Sequence, residues 1–223
     1  MDRFPSAAAE EPGSDRLPQL RRVVVASSNR GKLEEIGSLL SGLGIEVLPQ
    51  SHWDITPPEE SGETFLENAL IKARCVAAAT GIPAIADDSG LAVAALDGRP
   101  GVRSARYAGP HADDKQNIDK LLSELKGQAN RAASFHCVAV FLPSTLPSAP
   151  NSAPLIAHGE WRGRILTERR GQHGFGYDPV FFDPESERSA AELTLFEKNL
   201  VSHRGQAMRK LAQLIGKLAG FPQ

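Results

Sequence analysis

The chain has 223 residues, 41% of them apolar, and a formal net charge of −2 at neutral pH. That is enough chain for one large domain or two small ones with a sizeable core, and a balance this close to neutral argues against a protein that coats nucleic acid, whose footprint is strongly basic. No apolar run approaches the ~18 residues of a membrane span, the first residues carry acids and prolines but no apolar segment of a secretory signal, and Cys75 and Cys137 stand in ordinary apolar stretches without metal or disulfide spacing, which points to a reducing, cytoplasmic setting.

Residues 1–20 are rich in Ala, Pro, Glu, Ser and Asp and read as a disordered tail. Order is expected from 21 to 220 as a single domain. It begins with a β-branched strand at Arg21-Arg22-Val23-Val24-Val25-Ala26, followed by a turn, Ser27-Ser28-Asn29-Arg30-Gly31-Lys32, and a helix with Leu33, Ile36, Leu39, Leu40 and Leu43 at helical spacing. Gly44 stops that helix and Ile45–Leu48 reads as the next strand. A strand-to-helix turn of small residues is a ready anion site, because the first helical N–H groups have no internal partner. Lys32 would add an ammonium and Asn29 an amide. An ordinary capped helix with an exposed lysine satisfies the same residues.

Thr56-Pro57-Pro58 breaks regular structure ahead of Glu59-Glu60, and a long helix then runs to about Thr80. The two glutamates suit a helix N-terminus and equally suit a metal. Two apolar runs, Ile82–Ala86 and Leu91–Leu96, flank Asp87-Asp88-Ser89-Gly90. Acids between buried segments are costly unless paired or metal-bound, while a solvated hairpin tip accounts for Asp, Ser and Gly just as simply. Mg²⁺ takes a few carboxylates together with water and phosphate oxygens, so Glu59, Glu60, Asp87 and Asp88 form a candidate ligand set drawn from two turns.

Asp113 opens a helix with Ile118, Leu121, Leu122 and Leu125 on one face, its first residues Asp113 to Gln116 facing solvent. Ala132–Leu142 is a longer strand, 143–154 a Pro/Ser-rich loop, and Leu155–Trp161 with Arg164–Leu166 a second antiparallel pair. In Gly174-Phe175-Gly176-Tyr177-Asp178-Pro179, Phe175 would stack on a flat ring beside close-approaching backbone, or the aromatics simply form a core cluster in a tight turn. Thr194-Leu195-Phe196-Glu197 is a capping box, and Lys198, His203 and Arg204 gather cations near the last helix, as a phosphate site or as a charged surface.

Four motifs in this order, Ser-x-Asn-x-Gly-Lys at 27–32, Asp-Asp-Ser-Gly-Leu at 87–91, Gly-Phe-Gly-Tyr-Asp-Pro at 174–179 and Ser-His-Arg-Gly at 202–205, together with Ser104-Ala105-Arg106-Tyr107, resemble the inosine/xanthosine triphosphate pyrophosphatase family from about Arg22 to Leu218. The resemblance implies an α/β fold with a long mixed sheet flanked by helices, two lobes and a central cleft. It implies a homodimer, a Mg²⁺ cofactor, no nucleic-acid or membrane partner, and hydrolysis of ITP, dITP or XTP to monophosphate and pyrophosphate. Carried over, Asp88 is the proton acceptor and a metal ligand with Glu59, and Glu60 and Asp87 stand nearby. Ser27, Ser28, Asn29, Arg30, Gly31 and Lys32 grip phosphate. Ser89, Lys198, His203 and Arg204 contact substrate, while Phe175, Gly176, Tyr177 and Asp178 frame the base. Ser27-Ser28 departs from the Thr-Gly or Thr-Ser pairs of many relatives but keeps a hydroxyl and small size. A pyrophosphatase for other modified nucleotides, or a nucleotide-sensing module without turnover, are the competing readings.

Overall fold

The computed structural model describes residues 20–40, 44–143 and 153–219. The expected tail up to residue 19, Leu43, and residues 144–152 of the Pro/Ser loop lie outside them. In chain order the elements are β1 (Arg22–Val25), α1 (Arg30–Leu40), β2 (Glu46–Pro49), α2 (Phe65–Thr80), β3 (Ala84–Val93), α3 (Asp114–Glu124), β4 (Ala132–Leu142), β5 (Leu155–Ile165), β6 (Phe181–Asp183), β7 (Arg188–Ser189), α4 (Leu195–Val201) and α5 (His203–Ala219). The seven strands make one mixed sheet in the order β2-β1-β3-β4-β5-β6-β7. β1 runs parallel to β2 and β3, and α1 and α2 supply the crossovers that parallel neighbours require. From β3 onward every pairing is antiparallel.

The core follows from which helix covers which part of the sheet. α1 and α5 bury Ile36, Leu40, Met208, Leu211 and Ile215 against Ile85, Cys137 and Phe141. The opposite face takes α2, whose small Ala69, Ala73 and Ala77 let it sit close on Ala84, Ala86, Val138 and Val140. α2 opens on a complete Thr64/Glu67 capping box and closes on left-handed Gly81. Beyond the middle of the sheet a separate cluster joins Leu91, Ile118, Leu121, Phe135, Trp161, Tyr177 and Phe181. The functional cleft lies where these clusters meet.

Two sequence expectations are corrected. The acids at 87–88 are not a hairpin tip: the two apolar runs are one ten-residue strand, β3, paired without a break to β4 from Ala84↔Leu142 to Val93↔Ala133. The charge is tolerated there because cations from three helices reach it, as described below. Likewise Leu155–Trp161 and Arg164–Leu166 are not two strands: Leu155–Ile165 is the single β5, which ends before Leu166, and Gly163 continues the ladder opposite Ala133.

Side chains alternate along a strand, so β3 sends Asp87 the way of Ile85, toward α1 and α5, and Asp88 the way of Ala86, toward α2. Gly90 is the point where the turn Gly101–Arg106 closes on the strand. A Cβ there would lie 2.3 Å from the Gly101 carbonyl oxygen and 2.6 Å from Ser104 Oγ. Ser104 Oγ in turn accepts from the Leu91 amide at 2.9 Å.

Candidate active site

A cleft with a volume of about 160 Å³ opens at this junction. One wall is acidic and one is basic and aromatic. On the acidic side Lys72 of α2 reaches between two carboxylates, with Nζ 3.0 Å from Glu60 Oε1 and 2.8 Å from Asp88 Oδ1. Asn68 donates to the other Asp88 oxygen at 3.3 Å. Arg106 touches Glu60 Oε2 at 3.4 Å. Burial pushes the Asp88 carboxyl above its usual range despite the attraction of Lys72. For Lys72, burial disfavours the charge, but Asp88, Asp87 and Glu60 outweigh it and hold the ammonium protonated.

The other face of β3 is a closed ion network. Asp87, 2% exposed, takes Lys32 Nζ at 3.1 Å and Arg204 Nε at 3.2 Å on one oxygen. Burial alone would raise its pKa; Lys32, Arg204 and Lys72 drive it far below the carboxylate range instead. Arg204 also bonds Glu35 of α1 and donates to Ser89 Oγ at 2.8 Å. Lys198 of α4 bridges Glu35 at 2.9 Å and Asp178 at 2.5 Å. Burial would favour neutral Glu35, yet Arg204 and Lys198 hold it ionised. Such buried charges persist only because each has partners.

Both buried cations stand over the Phe175 ring, Lys198 Nζ at 4.8 Å and the Arg204 guanidinium at 5.4 Å from its centroid. The first turn of α1 lies against that ring, because a Cβ on Gly31 would sit 2.6 Å from Phe175 Cδ1. Only glycine lets helix and ring approach so closely. Tyr177 is buried and donates to the Ser104 carbonyl at 2.9 Å, and Asp178 accepts from the Phe175 amide at 2.9 Å. His203 stacks on Phe135 at 4.7 Å with its Nδ1 buried and unpartnered among the described residues. Burial, then Arg204 and Lys198, hold its pKa well below the histidine range, so it is neutral.

Of the residues singled out from sequence, Asn29, Lys32, Glu60, Asp88, Ser89, Phe175, Gly176, Tyr177, Asp178, Lys198, His203 and Arg204 line the cleft together. The rest sit around it. Ser27 caps the Asn29 amide at 3.1 Å, Ser28 takes Gln50 at 2.8 Å, and Arg30 points outward to Glu34. Gly31 and Asp87 lie behind the wall, and Glu59 is exposed beside Glu60. Lys198, His203 and Arg204 are not a charged surface, since all three are 4% exposed or less. Sequence reasoning missed Glu35 and Lys72. Asp114, read as solvated, is indeed exposed, and it also lines the cleft and accepts from the Gly176 amide at 2.6 Å. Glu35 and Lys72 share a signal, a charge inside an apolar helical stripe (35 beside Ile36 and Leu39; 72 between Ala69 and Val76).

Hard oxygen donors suit Mg²⁺. Glu60 and Asp88 already converge within reach of one small cation, the Lys72 ammonium, so they fit such an ion. Among the described residues no cluster of three or more His, Cys, Asp or Glu side chains encloses a metal by itself.

Residues 23–214 match the family model described as Ham1 family. A dITP/XTP pyrophosphatase of Halorhodospira halophila is 54% identical over 202 residues, covering 89% of this chain and 100% of the relative. One from Vibrio parahaemolyticus is 49% identical over 90% of this chain and 100% of its own length. The solved structure of a HAM1 protein from Coxiella burnetii superposes with a TM-score of 0.79 at 48% identity, covering 88% of this chain and 99% of that one. With its mixed sheet, its paired acids and its buried cations over an aromatic ring, the chain belongs to the Ham1 family.

Proposed function

We propose that this protein hydrolyses nonstandard purine nucleoside triphosphates (ITP, dITP, XTP) to the monophosphate and pyrophosphate. The observation that carries this reading is one cleft with Asp88 and Glu60 on one wall and Phe175, Lys198 and Arg204 on the other. The pyrophosphatase names of relatives about half identical to the chain support it.

The purine lies on Phe175, and Lys32 with the first turn of α1 holds phosphate through its ammonium and free N–H groups. Asp88 accepts a proton from a water whose oxygen attacks the α-phosphorus. The bond from that phosphorus to the bridging oxygen breaks, and pyrophosphate leaves with the electron pair. Glu60 and Asp88, with Glu59 and Asp87 nearby, would hold Mg²⁺, which when bound supplies charge neutralisation on the phosphates. Lys198 and Arg204 offer donors to a 6-oxo group, while adenine's amino group would leave those donors unpaired at a cost of ~1–3 kcal/mol each.

A panel of triphosphates, with pyrophosphate and orthophosphate counted separately and with and without Mg²⁺, tests this. The expected result is Mg²⁺-dependent pyrophosphate release, faster from ITP and XTP than from ATP or pyrimidine triphosphates. Orthophosphate as the first product, or equal kcat/KM for ATP and ITP, would overturn it. The same reading makes the enzyme a cytoplasmic homodimer. Exposed Leu195, Phe196 and Leu200 on α4 give a second copy an apolar patch to cover, and Cys75 and Cys137 are unpaired as in a reducing compartment. Sedimentation should give twice the chain mass and cell fractionation the cytosol; a monomer at micromolar concentration would contradict the first.

A further inference from the structure

We propose that Asp114 is a specificity residue that accepts a hydrogen bond from N1–H of the purine; this rests on the pyrophosphatase reading above. Asp114 stands in the first turn of α3, behind an N-cap formed by Asp113 and Gln116. It faces the cleft alongside Asn117, Ala105 and Tyr177. One carboxylate oxygen, Oδ2, is fixed by the Gly176 amide at 2.6 Å. Gly176 follows Phe175 directly, so the acid is tied to the backbone next to the residue on whose ring the base would lie. Among the described residues no cation pairs with Asp114, and its other oxygen takes no protein donor.

The wall is therefore polar in two senses. Lys198 and Arg204, over the Phe175 ring, can only donate. An ionised Asp114 can only accept. Hypoxanthine and xanthine present an acceptor at O6 beside a donor at N1, and adenine presents the reverse, a donor at the 6-position beside a lone pair at N1. A 6-oxopurine thus satisfies both groups, whereas adenine meets a carboxylate with its N1 lone pair. A ribose hydroxyl is the other donor that a nucleotide could bring to Asp114, and the test separates the two.

Asp114→Asn keeps the size of the side chain and an oxygen for the Gly176 amide but turns a donor toward N1. The ITP-to-ATP ratio of kcat/KM, read by pyrophosphate release, is expected to fall about tenfold or more, with ATP turnover rising in absolute value. In the wild-type enzyme, 1-methylinosine triphosphate, which lacks N1–H, is expected to lose about tenfold against ITP, and this arm needs no variant to fold. An ITP-to-ATP ratio within about twofold of wild type would overturn the proposal, because a merely structural role lowers both substrates alike. A changed ITP-to-dITP ratio at constant ITP-to-ATP would do the same and assign Asp114 to the ribose. Absence of pyrophosphate release from ITP by the wild type would instead overturn the underlying function.

Discussion

Asp88→Asn should leave a folded protein whose kcat has fallen by ~10²–10⁴-fold, the range of a lost general base. The geometry makes this a fold-preserving test that removes the proposed proton acceptor and a proposed Mg²⁺ ligand together. Asn fills the same volume in β3, the ladder to Val138 of β4 is unaffected, and the amide oxygen can still accept from Lys72. What is lost is a carboxyl whose burial has raised its proton affinity at the edge of the cleft. The loss should fall on kcat, with KM for ITP changed far less, because Phe175, Lys198 and Lys32, proposed to hold the base and phosphates, are untouched. Near-normal kcat in this variant would remove Asp88 from the chemistry, and circular dichroism of the same sample guards against misfolding as the cause.

Arg204→Ala should be the most destabilising single substitution in the site. The guanidinium is 2% exposed and reaches Asp87, Glu35 and Ser89 at once. Its removal strands two buried carboxylates with one cation each, Lys32 for Asp87 and Lys198 for Glu35. Removing one partner of a buried ion network costs about 3–5 kcal/mol. At the few degrees per kcal/mol typical of this chain length, the midpoint of thermal unfolding should drop by about 10 °C. Arg204→Lys keeps the charge without the fork, and one ammonium cannot meet three partners, so its midpoint should lie between the two. A midpoint for Arg204→Ala within about 2 °C of wild type would show that the network is not tight.

Much of this arrangement was legible from residue order. The β-branched opening, the capped helices and the 132–142 strand follow from periodicity and capping, and the four motifs do converge on one cleft. Three things resisted. Asp87-Asp88 looked like a turn because local propensity cannot see the cations that neutralise a charged strand centre. Those cations come from 32, 72 and 204. Glu35 and Lys72 were passed over because a charge on an apolar stripe has a meaning only once its partner is known, and the partners are distant in sequence, 169 residues in the case of Glu35 and Arg204. Asp114 is exposed as expected, but its contact with the cleft was passed over for a related reason. Its partner is a backbone amide 62 residues away, at Gly176, and amides carry no sequence signature.

Alternation along β3 has an implication for folding fidelity. Asp87 and Asp88 perform different tasks only because consecutive residues cannot share a side of the sheet. Sliding this strand by a single position against its neighbour would swap their faces, turning Asp87 toward α2 and abandoning Arg204. The layout of the cleft is thus written into an alignment of backbones, and the bare α-carbon at Gly90, which lets the Gly101–Arg106 segment lock onto one position of the strand, serves as its index mark.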